Sequence, residues 1–268
     1  MKRRSLLLLS IACFGYALLY VPILSVVIYS FNASRLVTLW GGFSTRWYVS
    51  LLADDELLAA AFLSLRIAIV SATLATALGA LVALALHRVQ RLRGRILLSG
   101  MVTAPLVMPE IITGLSLLFL FISMANAIGW PATRGATTIT IAHITFSMAY
   151  VVVVVRSRLA ALDESLEEAA MDLGGKPVAV FFDITVPMLL PALVSGWLLS
   201  FTLSLDDLVI SSFVSGPGAT TLPMLIFAKV RLGVTPDINA ITTIIIALVV
   251  LAVATAAVIS GRRRPATE

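Results

Sequence analysis

Six apolar runs constrain this chain more than any other feature: Ser5 to Phe31, Ala59 to Leu86, Ile96 to Ile128, Ala136 to Val155, Met188 to Val214 and Ile238 to Ser260. Each reaches the roughly 20 residues that a helix needs to cross a hydrocarbon core of about 30 Å. No water satisfies backbone amides inside a bilayer, so runs of this length are read as helices that bond internally. Composition agrees, because 60% hydrophobic and 12% charged residues make the chain too apolar for a soluble domain. The first run follows "MKRR", a basic start like that of a signal peptide. It is far longer than a signal's apolar core of roughly 7 to 15 residues and shows no small-residue cleavage site, so it is read as a span. The single cysteine, Cys13, lies inside that span and forms no internal disulfide.

The net charge of +5 invites a nucleic-acid reading, but the positions of the cations favour membrane topology. Thirteen Lys and Arg fall at the N-terminus, around Arg88 to Arg95, between Arg156 and Lys176, and at Arg262 to Arg264. Only five fall in the alternate loops, at Arg35, Arg46, Arg134, Lys229 and Arg231. By the positive-inside rule both termini are then cytoplasmic, as an even number of spans requires. The loop from Asn32 to Leu58 is expected outside, with Trp40, Trp47 and Tyr48 as interfacial anchors or part of a short helix. The longest inner loop, about 156–187, is where a cytoplasmic partner must dock. Without internal repeats or a low-complexity linker, residues 1–268 are read as one membrane domain.

Enzyme readings find little support. The two histidines, His87 and His143, are far apart in sequence, and neither a G-x-S-x-G elbow nor an H-E-x-x-H motif occurs. A lone His143 in an apolar helix reads as a hydrogen-bonded packing residue rather than a catalyst. The chain lacks G-x-x-x-x-G-K-[ST], so ATP has no Walker site in it.

The loop "DESLEEAAMDLGGKPVAVFFDITVPMLLP", Asp163 to Pro191, carries more information. Glu164, Glu167 and Glu168 belong in the first turns of a short helix, Gly174-Gly175 at its end and Pro177 just beyond. A second helical stretch follows from Val178 to Ile184. The order Glu168-Ala169-Ala170, three residues, Gly174, nine residues, Ile184, one residue, Val186-Pro187 resembles the EAA loop of bacterial ABC importer permeases, written E-A-A-x3-G-x9-I-x-L-P, with Val186 in the place of leucine. The resemblance implies an all-α, six-span permease subunit of the type I, MetI-like fold in the bacterial inner membrane. It implies docking of this loop on a dimer of cytoplasmic ATPases through Glu168, Ala169, Ala170 and Gly174. It further implies ATP bound only by that partner, no cofactor in this chain, a second related permease and a periplasmic solute-binding protein. "TAPLVMPEIITGLSLLFLF" (Thr103 to Phe121) and "SFTLSLDDLVISSFVSGPGATTLPMLIF" (Ser200 to Phe227) are similar to the polyamine branch, putrescine above all. Spermidine, ferric ion and thiamine importers are the alternatives within the class. A channel or scaffold explains the spans but has no need of such a loop.

Four ionisable residues stand within the runs: Arg66, Glu110, Asp206 and Asp207. Each costs about 2.5–3.5 kcal/mol on insertion scales, which makes it a functional candidate. Counting about 1.5 Å per residue along unbroken helices puts Glu110 roughly 21 Å from Ile96, Asp206 roughly 22 Å from Pro191 and Arg66 roughly 10 Å below the outer edge, all in the outer half. Ser200, Ser204, Asp207 and Ser211 form one helical stripe, which faces either a cavity or another helix. With Arg66 neutralising one carboxylate, Asp207, Asp206 and Glu110 sum to minus two, a complement to a diamine with two ammonium groups. They are expected to line a transient cation path.

Overall fold

The structure is a computed structural model that describes residues 2–36, 39–89, 94–163, 165–233 and 236–262. Arg91, Arg93, Glu164, Arg263 and Arg264 of the charge and loop arguments lie outside the described residues. Twelve helices follow in order: α1 (Lys2–Tyr29), α2 (Arg46–Leu52), α3 (Asp55–Arg88), α4 (Arg95–Val107), α5 (Glu110–Ile128), α6 (Ala136–Ala160), α7 (Ser165–Asp172), α8 (Pro177–Val180), α9 (Val186–Leu205), α10 (Val209–Val214), α11 (Leu222–Leu232) and α12 (Pro236–Arg262). A π-helical turn, Phe181–Thr185, joins α8 to α9 without a break. The only β pairing among the described residues is an isolated bridge between Asn32 and Phe43.

Five segments are long and apolar enough to span: Leu8–Tyr29, Asp55–Arg88, Glu110–Ile128, Ala136–Ala160 and Pro177–Leu205. The sixth apolar run lies in α12, of 27 residues. The run Ile96 to Ile128 is not one helix. Met108 is extended, with φ −76° and ψ 136°, the conformation that the ring of Pro109 favours in the residue before it. The span is therefore α5 alone, and Glu110 opens it. The fifth run also breaks, between Leu205 and Val209.

The chain packs as two units, one of Met1–Leu58 with Ile226–Glu268 and one of Ala59–Leu225. In the first, α12 packs against α1 and α2. The outer loop is built around Asn32, whose amide donates to Leu39 O at 2.7 Å and whose Oδ1 accepts from Gly41 N at 2.8 Å and Ser34 N at 3.1 Å. Tyr48 bonds Ser30 at 2.6 Å, and Trp47 Nε1 donates to the Asn32 carbonyl at 2.7 Å, so both aromatics hold the loop together. Lys229 Nζ bonds Asp54 Oδ2 at 2.9 Å across this unit.

In the second unit α6 is the central element, packed against α4, α9 and α10. Of its membrane window 56% is buried, against none for α1. Val151 sits between two glycines: a Cβ on Gly79 of α3 would lie 2.8 Å from its side chain, and one on Gly196 of α9 would lie 3.4 Å away. Small residues there let three backbones approach closely, which is how helices associate where lipid is as apolar as leucine. Nearer the Ala136 end of α6, Ile139, Phe146, Leu117, Phe121, Ile210 and Val214 form the second half of the core.

The Lys229 bond holds the Asp54 carboxyl below its ordinary value of 3.8, with help from the Leu57 amide. A depressed carboxyl stabilises the fold at every pH above its unfolded value, and the contribution is lost as pH falls through the folded one. Asp54→Asn should therefore lower the melting temperature of the detergent-solubilised protein at pH 7, with the deficit closing as the pH is taken below 3.8. A deficit that persists there assigns the loss to packing instead of charge.

Candidate functional site

Two polar clusters in Ala59–Leu225 carry candidate chemistry. The first is the break in the fifth span, where Asp206, Asp207 and Leu208 separate α9 from α10. A break at membrane depth strands backbone amides, and unsatisfied groups there cost several kcal/mol each by order of magnitude. Asp207 answers that cost. Its Oδ1 accepts the Ile210 N–H at 3.2 Å and its Oδ2 the Ser211 N–H at 2.7 Å. On the other side Oδ2 lies 3.1 Å from His143 Nε2. The same ring nitrogen is 3.1 Å from Ser211 Oγ, while Nδ1 is 2.6 Å from Ser204 Oγ, and Ser71 Oγ donates to Ser204 at 3.0 Å.

A carboxylate only accepts, so Nε2 carries a hydrogen toward Asp207, while the Ser204 hydroxyl meets Nδ1 on the other side of the ring. Hydrogen bonds thus run Ser71 to Ser204 to His143 to Asp207, through α3, α9 and α6 to the break. The His143 and Asp207 side chains are 2% and 8% exposed. Ser, His and Asp in this order form the series of a hydrolase triad, but Ser204 is 5% exposed and bonded on both sides, so no substrate carbonyl reaches it. The stripe of Ser204, Asp207 and Ser211 therefore meets a helix, and the residue it meets is the lone histidine of α6. Ser200, on the same stripe, is fully buried.

The other charged candidates differ from Asp207. Asp206, at the α9 C-cap, and Glu110, the first residue of α5, are both exposed. A Cβ on Gly114 of α5 would lie 3.3 Å from Ile210 Cα and 2.7 Å from the Phe213 ring, and further along Phe121 and Ala125 share a cavity wall with Gly216 and Pro217. Helices α5 and α10 therefore run parallel. Glu110 opens α5, and Asp206 closes α9 just ahead of α10. Counting depth from Ile96 through Glu110 fails, because α4 and α5 are separate helices. Arg66 is exposed in a groove shared with Thr137, Thr140 and Ile144 of α6. It takes part in none of the ion pairs among the described residues, which join Arg88 to Glu167, His143 to Asp207 and Lys229 to Asp54.

The second cluster is the loop after α6. Asp163 begins it, its carboxyl held below the ordinary value by the Ser165 backbone amide and hydroxyl. Helix α7 carries Glu168, Ala169 and Ala170 and ends at Gly174, whose φ of +91° favours glycine. Gly175 has a different requirement, since a Cβ there would lie 2.7 Å from the Ala170 carbonyl oxygen. Glu168 and Ala169 are exposed, as are Leu166, Met171 and Leu173, the last at 90%. Glu167 faces the other way. It accepts two bonds from Arg88 Nη2 at the end of α3, at 2.5 and 2.7 Å, and one from Thr185 Oγ1 of the π-turn at 2.6 Å. Arg88 also lies over the Phe181 ring, 5.8 Å from its centroid.

Residues 75–263 match the family described as the binding-protein-dependent transport system inner membrane component. The chain belongs to this family. The permease is 62% identical over 235 residues to the putrescine transport system permease protein PotI of Escherichia coli K12, covering 88% of this chain and 84% of that one. It is 44% identical over 233 residues to the spermidine/putrescine permease PotC of the same organism, covering 87% and 86%. Its fold matches a bacterial ABC transporter involved in the import of the acidic polysaccharide alginate, with TM-score 0.71 at 15% identity over 98% of this chain and 97% of that one. A second alginate transporter structure, in complex with a pentasaccharide-bound periplasmic protein, gives 0.70 at 15% over 94% and 92%. The permease is thus an all-helical, multi-pass inner-membrane protein of the MetI-like fold.

Glu167 holds α7 to α3 and the π-turn, a role that the sequence left hidden among the acids of a first turn. Its sign was its place beside Glu168, but the partners Arg88 and Thr185 are 79 and 18 residues away. Glu167→Ala should free α7 from its seat. Amide hydrogen exchange over 165–173 of the permease should rise severalfold while that of α6 stays unchanged. Equal exchange in both proteins would show that α7 is held by other contacts.

Proposed function

We propose that this chain is the membrane subunit of an ATP-driven importer of polyamines, with putrescine as the substrate. The observation that carries the reading is 62% identity, over 88% of the chain, to a permease named for putrescine transport. The exposed carboxylates of Glu110, which opens α5, and Asp206, which closes α9, supply two negative charges for a diamine's two ammonium groups. Asp207, buried behind Asp206, adds a fixed negative charge to the same region. Binding there is brief by design, since a path must release what it attracts, and selective capture belongs to a periplasmic binding protein. A neutral sugar would gain nothing from these charges.

On this reading ATP is bound and hydrolysed by a dimer of cytoplasmic ATPases, and this chain binds no cofactor. Helix α7 is the coupling element, with Glu168, Ala169, Ala170 and Gly174 at the contact. Support comes from its exposed mix of Glu168 with Leu166, Met171 and Leu173, because an apolar face rimmed by charge on a protruding helix suits a protein partner. Residues 1–268 work as one permease domain with both termini in the cytoplasm, paired with a related second permease.

Two experiments test these assignments in proteoliposomes holding the complete complex. Asp206→Asn and Glu110→Gln should each reduce uptake of labelled putrescine at least severalfold while basal ATP hydrolysis persists; wild-type uptake in both would refute the charged path. Glu168→Lys should leave the permease inserted and uncouple hydrolysis from uptake. Normal turnover by an intact Glu168→Lys complex would remove α7 from the coupling role.

A further inference from the structure

We infer that His143 is the positioning residue of the path, holding the break in the fifth span so that Asp206 is presented at a fixed point; the inference rests on the path reading above. One imidazole ring touches the chain before, within and after the break: Ser204 at 2.6 Å, Asp207 at 3.1 Å and Ser211 at 3.1 Å. The residue on the other side of Asp207's peptide is Asp206. Asp206 and Leu208 keep helical backbone angles, φ −97°, ψ −2° and φ −107°, ψ −39°, so the bend between α9 and α10 rests on the torsions around Asp207, and freedom there would turn the Asp206 carboxylate relative to α10. The ring removes that freedom from outside the segment. It sits on α6, the most buried of the spans, with Ile139 and Ala142 of the same helix fully buried beside it, so its own position is set by packing.

A histidine suits the task for a chemical reason. Its two nitrogens lie on opposite sides of a rigid ring, and in the neutral form one accepts while the other donates. That matches a hydroxyl donor at the end of α9 and a carboxylate acceptor in the break. The ring is 2% exposed, so it touches no solute itself and acts only through Asp206 and Asp207. Glutamine is the variant that retains one acceptor and one donor, whereas alanine retains neither.

The test is a double-mutant cycle in the reconstituted complex with labelled putrescine as probe. His143→Ala should raise the KM for uptake roughly fivefold to tenfold, and His143→Gln should recover most of the loss. In an Asp206→Asn background His143→Ala should add less than about twofold, because the carboxylate it positions is already gone. The same factor in both backgrounds would reduce His143 to general packing. A second readout does not depend on transport: a nitroxide attached at Asp206→Cys should gain mobility in His143→Ala and lose it again in His143→Gln. Unchanged spectra overturn the positioning role whatever the uptake data show. If His143→Ala fails to assemble, Ser204→Ala removes one side of the same clamp, and the same two outcomes apply to it. Wild-type uptake by Asp206→Asn alone refutes the path and leaves the nitroxide result to decide on His143.

Discussion

The hydrocarbon core of a membrane supplies no hydrogen-bond partner, and this chain nevertheless interrupts a helix within it. The interruption at Asp206 to Leu208 is tolerable because Asp207 takes the first amides of α10 and His143 takes Asp207. Removing any member would leave a buried carboxylate or stranded amides, a cost of several kcal/mol by order of magnitude. Interhelical hydrogen bonds in membranes contribute only about 0.6 kcal/mol each on average, so this network matters less for stability than for specifying one geometry. The rest of Ala59–Leu225 is arranged around that requirement: Ser71 completes the acceptor at Ser204, and Gly114 admits α10 against α5.

The same span reaches the other end of the molecule. From Pro177 the chain runs helically through the π-turn into α9 and on to Leu205. Its 20-residue final helix rises about 30 Å. One end is tied to α7 and α3 through Thr185, Glu167 and Arg88; the other ends at the His143 clamp. If α7 has the proposed coupling role, this helix is the element that would carry its displacement to the break. Helix interiors deform little, so the motion has to be taken up at the π-turn, where hydrogen bonding is already irregular, or at the break.

Much of the fold was legible in the sequence because span length follows from bilayer thickness, which acts on local sequence alone. The short helix after α6 was legible for a similar reason: Gly174 and Pro177 punctuate the loop locally, and the helix they bound is α7. The third run misled because Pro109 lies inside an apolar stretch whose composition does not change across the break. Asp207 and its serines showed as a stripe, yet a stripe alone does not say what it faces. His143 was visible only as an isolated residue, 61 positions from Ser204.

By itself the sequence determined that the chain is helical, that it crosses a membrane several times, and where the short helix α7 lies. Those properties are set by periodicity, length and local turn chemistry, each readable within a few tens of residues. Only the tertiary structure decided that two adjacent aspartates have different tasks. Asp207 is drawn into the bundle because it is the group that can satisfy both the α10 amides and the His143 ring. Asp206, one residue away on a non-helical segment, points elsewhere and remains exposed. Neighbours in sequence were separated by which helix each one meets, and that depends on the packing of α3, α6 and α9 around Val151, not on any local pattern.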